Sequence, residues 1–191
     1  MTEIDSVGIV GFGTMGAGIA EVVARSGKSV TAVVPDDAAE AAGTARLEAS
    51  TARAVERGKL TAEERAEVLA RITVSRDLAD LKSCGLVIEA VPEKLELKKA
   101  IFAELDAILP PEAILASNTS ALRITELAVA TGRPGRVVGV HFFNPAPVLD
   151  LVELVSTVTT DPAVTATVQA LLREAAVRKI TVQDKCGRTL V

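Results

Sequence analysis

The chain holds one histidine in 191 residues, His141, at the head of the stretch HFFNPAPVLDLVE. An imidazole changes charge near neutral pH, so it can take and return a proton in a reaction. Twelve positions on, Glu153 stands among aliphatic residues in LDLVELV. An ionised carboxylate in apolar surroundings is costly without a partner. The prolines of NPAP force a turn, which lets the Glu153 segment fold back beside His141. A carboxylate behind an imidazole fixes its tautomer and stabilises the charged ring, a common arrangement for a general base. The competing reading makes Glu153 one residue of a solvent-facing strand and His141 a packing residue.

A second pattern is GFGTMG, with glycines at 11, 13 and 16 around Thr14 and Met15. It follows the apolar run from Val7 to Val10 and opens a helical pattern on Ile19, Val22 and Val23. Arg25 suits the last turn, Gly27 suits a helix stop, and the apolar run from Val30 to Val34 follows. A G-x-G-x-x-G turn between a strand and a helix is the pattern of a dinucleotide-binding site, and the competing reading is a glycine turn with no ligand. The first glycine allows the tight turn, the second lets the pyrophosphate approach the backbone, and the third lets helix and strand pack closely. The helix N-terminus then faces the phosphates. An NAD site usually ends its second strand in Asp or Glu, for the ribose hydroxyls. Here Val34 and Pro35 hold that place, and Asp36 is the nearest acid. Asp36 either reaches the ribose or only starts the next helix. The sequence places no arginine nearby for a 2′-phosphate, so NAD is expected rather than NADP.

These groups need a scaffold that gathers them. From Asp36 to Arg71 the pattern is helical, broken at ERGK around Gly58 and restarted by the capping box TAEE at Thr61 to Glu64. RITVS, GLVIEAV, AILAS, RVVGVHFF, DLVELV and RKITVQ read as strands. Lys94 to Leu109, ITELAVAT and Asp161 to Ala176 read as helices. Such alternation predicts an α/β fold of Rossmann type, a doubly wound and mostly parallel sheet, with a helix hairpin inserted after the second strand. In open α/β sheets, ligands sit at the carboxyl ends of the strands. His141, Glu93 and the segment Ser117 to Ser120 all fall at such ends.

Bulk properties narrow the function. Hydrophobic residues make up 49% of the chain, enough for a sizeable core, and the net charge is −4. There is no Trp or Tyr and only four Phe. Nucleic-acid binding calls for basic patches and stacking aromatics, and is not expected. No signal peptide or membrane-spanning run is read, and no metal-binding cluster. Cys84 and Cys186 lack ligand spacing, which fits a reduced, cytoplasmic setting.

Four stretches, GFGTMGAGIA, VIEAVPEKLELKK, ASNTSAL and GVHFFNPAPVLDLVEL, resemble the 3-hydroxyacyl-CoA dehydrogenases, the 3-hydroxybutyryl-CoA branch included. The match runs in order over nearly the whole chain. The helix hairpin is also a feature of that family, and separates it from the 6-phosphogluconate and β-hydroxyacid dehydrogenases. The resemblance implies that His141 is the general base, Glu153 its orienting partner, and Ser120 a hydrogen-bond donor to the substrate oxygen. It implies a substrate role for Asn144 and cofactor contacts at Ala90, Val91, Glu93, Lys98 and Asn118. The implied reaction is the reversible oxidation of a 3-hydroxyacyl thioester with NAD.

The resemblance also implies a further all-helical domain after residue 191, which would close the substrate cleft and form most of a homodimer contact. On that reading, residues 1–191 are one dinucleotide-binding domain carrying the catalytic pair. Alone they are expected to bind NAD(H) and to turn over poorly. The chain departs from the family at Ala121, where many members have serine, and at Cys186 and Arg188, where Pro and Phe are usual. Two other readings stand beside the first. One is a dehydrogenase of a hydroxyacyl group on a carrier protein. The other is a degenerate NAD(H)-binding module without turnover. Arg53, Arg57 and Lys59 on the hairpin are candidates for CoA phosphates or are plain solvated charges.

Overall fold

A computed structural model of the chain describes residues 4–175 and 177–183. The departures at Cys186 and Arg188, and the end of the last helix at Ala176, lie outside the described residues. Eight strands form a single sheet: β1 (Ser6–Val10), β2 (Ser29–Val33), β3 (Ile72–Ser75), β4 (Leu86–Glu89), β5 (Ile114–Ser117), β6 (Val137–Phe142), β7 (Leu151–Ser156) and β8 (Arg178–Gln183). Their spatial order is β3-β2-β1-β4-β5-β6-β7-β8. The first six, in the order 3-2-1-4-5-6, are all parallel, and β7 runs antiparallel to β6. That order is the dinucleotide-binding one, with its topological switch point between β1 and β4.

The central strands are buried on both faces, which is why they read as continuous apolar runs and not as alternating ones. All four residues of β4 and all six of β6 are buried. Helices α1 (Thr14–Arg25), α2 (Asp37–Glu56), α3 (Ala62–Ala70), α4 (Leu95–Ile108), α5 (Ile124–Ala128) and α6 (Pro162–Glu174) cover the two faces. Two apolar cores result. One is built on Ile9, Ile19 and Val140, the other on Phe102, Leu105 and Leu115.

The expected hairpin is α2 and α3, and the capping box is formed. Thr61 Oγ1 accepts from Glu64 N at 3.1 Å, and Glu64 Oε2 accepts from Thr61 N at 2.7 Å. α1 ends at Arg25, and Gly27 follows with a φ of +89°. Observed strand and helix ends differ from the sequence reading by a residue or two, as caps and frayed turns allow, except that α5 stops at Ala128, three residues before the end of ITELAVAT. The antiparallel β7 follows from the short NPAP connection. A parallel neighbour would need a long crossover.

Candidate active site

The glycine turn is the first component. Gly11 has a φ of +95°, and a Cβ there would lie 3.0 Å from Ala90 O. A Cβ at Gly16 would fall 1.9 Å from Gly11 O, so only glycine lets α1 pass so close to the turn. A Cβ at Gly13 would meet nothing within 4 Å. Open space therefore stands above the start of α1. Gly13 caps α1 with no side-chain hydrogen bond, and its first turn carries no acid. The amides of Thr14, Met15 and Gly16 begin the helix facing a gap shaped for an anion. These residues fit the pyrophosphate of a dinucleotide.

The adenosine side looks different. β2 ends at Val33, Val34 is 2% exposed, and Asp36 is exposed. Asp36 Oδ1 accepts from Ala39 N at 2.8 Å and so caps α2. The helix-starting reading of Asp36 is thus observed. Arg76 bonds Asp37 and Glu40 on the first turn of α2.

The catalytic candidates come together at the end of β6. His141 and Glu153 are cross-strand partners in the antiparallel β6–β7 pair. His141 Nδ1 and Glu153 Oε2 are 3.0 Å apart, and the two residues are 8% and 7% exposed. The alternative of a solvent-facing Glu153 is excluded. Glu153 occupies Nδ1, so Nε2 is the nitrogen left for a reactant. Phe143 packs on the imidazole with ring centroids 4.5 Å apart.

A cleft of about 330 Å³ opens at this point, lined by Met15, Ala90, Val91, Glu93, Lys98, Asn118, Ser120, His141, Phe142 and Asn144. The structure brings together residues from the ends of β1, β4, β5 and β6, with Lys98 from α4. Asn118 Oδ1 accepts from Phe142 N at 2.8 Å, which ties the β5 loop to the residue after His141. Ser120 and Asn144 are exposed at the rim. Asn144 also lines a second groove of about 540 Å³ between α1, α2 and the NPAP turn, with Arg46, Ser50 and Arg53 on its α2 side. Arg57 and Lys59 are exposed and do not line that groove.

Beneath the cleft is a network that sequence reasoning missed. Lys98, 1% exposed, donates to Glu89 Oε1 at 2.6 Å and to Val91 O at 3.2 Å, and lies 3.2 Å from Glu93 Oε2. Glu89, wholly buried, also accepts from Val91 N and from Ser117 Oγ, both at 2.7 Å. Glu93 Oε1 accepts from Thr119 Oγ1 and from Ala121 N. Burial pushes the Glu93 carboxyl up. The hydrogen bond from Thr119, the charge and hydrogen bond of Lys98, and the Ala121 amide outweigh it and hold the group below the usual carboxylate value. Glu89 carries the same signal as Glu153, a carboxylate inside an apolar strand. Its partner comes nine residues later from a helix, a pairing that strand periodicity does not show.

Comparison with known proteins gives the family and the fold. Residues 6–185 match the family model of the 3-hydroxyacyl-CoA dehydrogenase NAD-binding domain. The chain is 52% identical over 164 residues to a 3-hydroxybutyryl-CoA dehydrogenase of Mycobacterium tuberculosis, covering 85% of this chain and 57% of that protein. It is 41% identical over 185 residues to a probable 3-hydroxybutyryl-CoA dehydrogenase of Bacillus subtilis, covering 97% and 64%. The crystal structure of M. tuberculosis FadB2 superimposes with a TM-score of 0.95 at 46% identity, covering 99% of this chain and 67% of that one. The chain thus spans between 57% and 64% of the length of these two curated relatives. No helix among the described residues is long and apolar enough to cross a membrane.

Proposed function

The chain belongs to the 3-hydroxyacyl-CoA dehydrogenase family through its NAD-binding domain, and from that premise we propose that it is the cofactor-binding, base-carrying part of an NAD-dependent dehydrogenase of short 3-hydroxyacyl-CoA thioesters. The observation that carries this reading is the buried His141–Glu153 pair, 3.0 Å apart, with His141 lining the cleft beside the glycine turn.

In this reading residues 1–191 form one dinucleotide-binding domain. Gly11, Gly13, Thr14, Met15 and Gly16 hold the pyrophosphate. Asp36 meets a ribose hydroxyl with the carboxylate oxygen that the α2 cap leaves over. Ala90, Val91, Glu93, Lys98 and Asn118 enclose the nicotinamide half. NAD, when bound, supplies the hydride acceptor for C3 of the substrate. His141 Nε2 takes the hydroxyl proton as C3 becomes a carbonyl. Glu153 keeps the ring in the tautomer that leaves Nε2 unprotonated, and stabilises the imidazolium once it forms. Ser120 donates to the substrate oxygen, and Asn144 orients the acyl group. The adjoining groove with Arg46 and Arg53 takes the thioester tail, whose phosphates those guanidiniums match. That choice favours CoA over a carrier protein, which would leave the two arginines idle.

A catalytic cleft needs walls that exclude water and fix the substrate. A helical partner domain would supply the second wall and a homodimer contact, and the cytoplasm is the expected setting. The test is NADH fluorescence in one cuvette. Titration of the chain into NADH enhances the signal; acetoacetyl-CoA then oxidises the NADH slowly with the 191-residue chain and rapidly with a longer chain that continues through a helical domain. Binding without oxidation by a longer chain that continues through a helical domain would refute the dehydrogenase reading and leave an NAD(H)-binding module.

A further inference from the structure

Lys98 brings one positive charge beneath the cleft, and two carboxylates surround it. Its ammonium has three protons and three acceptors within 3.2 Å: Glu89 Oε1, Val91 O and Glu93 Oε2. Both carboxylates are surrounded by donors. Glu89 takes Lys98, Val91 N and Ser117 Oγ. Glu93 lies below the usual carboxylate range, because its donors outweigh its burial. With two carboxylates against one ammonium, the cluster has a formal excess of one negative charge. Among the described residues lining the cleft there is no second lysine or arginine to offset it. The His141–Glu153 pair adds a third carboxylate at the other wall.

A nicotinamide ring carries a positive charge when oxidised and none when reduced. From the uncompensated carboxylate we infer that the Glu89–Lys98–Glu93 cluster is a redox-state selector, which strengthens binding of the oxidised cofactor relative to the reduced one. Glu89 acts in it as a positioning residue, through Lys98 and the two loops, and touches no reactant. Burial matters here, because a charge removed from water acts over a longer range than one on the surface. The same network fixes the loops that form the cleft. Glu89 joins the Val91 amide of one loop to Ser117 at the start of the next, and Glu93 holds the Thr119 hydroxyl and the Ala121 amide. This inference rests on the cofactor reading above.

The test is a comparison of dissociation constants for NAD⁺ and NADH, measured by calorimetry on the 191-residue chain and its variants at one neutral pH. Glu89→Gln keeps an acceptor for Lys98 and removes the charge. Glu93→Gln does the same at a side chain that is 40% exposed, and serves if the buried variant fails to fold. Each raises the ratio Kd(NAD⁺)/Kd(NADH) by about fivefold or more. Glu96→Gln on α4 removes an equal charge from a side chain that is 85% exposed, and leaves the ratio unchanged. Parallel weakening of both forms, with the ratio fixed, marks a merely structural network and overturns the inference alone. Failure of the parent chain to bind either form overturns the cofactor reading, and this inference with it.

Discussion

The two ends of the proposed cofactor cleft are built in opposite ways. At the nicotinamide end, β4, β5 and β6 deliver side chains into a closed network, and Lys98, Glu89, His141 and Glu153 are all buried. At the adenosine end, β2 stops at Val33, Val34 turns into the apolar core, and the acids Asp36 and Asp37 stand in solvent. One end is fixed by buried polar partners that cannot be rearranged cheaply. The other relies on backbone shape at the glycine turn and on one capping aspartate. Affinity and chemistry should therefore depend on different residues.

The sharpest way to break this contrast is at the base. His141→Gln should reduce turnover of the catalytically competent protein by about a thousandfold and leave NADH titration unchanged. Loss of NADH binding in that variant would mean that the base also holds the cofactor. Next is the support beneath the cleft. Lys98→Met leaves two carboxylates facing each other without their cation, and should cost about 3 to 5 kcal/mol of stability, read by urea unfolding. A much smaller loss would mean that water reaches this network and that the rigid end is not rigid.

The adenosine end should give smaller effects. Asp36→Ala removes the α2 cap, at about 1 kcal/mol. Asp36→Ser retains a capping oxygen and loses the charge. If Asp36 reaches the ribose as proposed, both weaken NADH binding by about fivefold, while only the alanine variant melts earlier. The smallest effect concerns pH. Glu93 has a folded-state pKa below its ordinary value, so its ionised form stabilises the fold at neutral pH. That contribution is lost as pH falls through the folded value. The difference in Tm between the parent and Glu93→Gln should be present at neutral pH and close up as pH falls from the ordinary carboxylate value through the lower folded one.

The contrast also explains what the sequence can reveal. The glycine turn, the strand–helix alternation, the hairpin with its capping box and the His141–Glu153 pairing are all legible. Each depends on local pattern, or on a short connection that leaves one outcome. NPAP between two apolar runs permits little besides an antiparallel return. Glu89 is not legible as a site residue, because its partners Lys98 and Ser117 come from a helix and a neighbouring strand. Such a network is set by sheet order and register, which no single segment contains. Asp36 stands between two readings in the sequence for a related reason. A cap and a ligand contact ask for the same residue type at the same place.

The antiparallel ladder that joins His141 to Glu153 has a consequence for how such a chain can change. Neighbouring side chains on a strand point to opposite faces, so slipping β7 by one residue would turn Glu153 away from the imidazole. The proposed catalytic pair is thus inherited as a reading frame, intolerant of a single insertion inside either strand. The eight residues between the strands, 143–150, lie outside that frame, and Asn144 to Pro147 line the groove proposed for the thioester tail. On the proposed reading, variation in that loop retunes which acyl groups are accepted while the proton chemistry passes on unaltered.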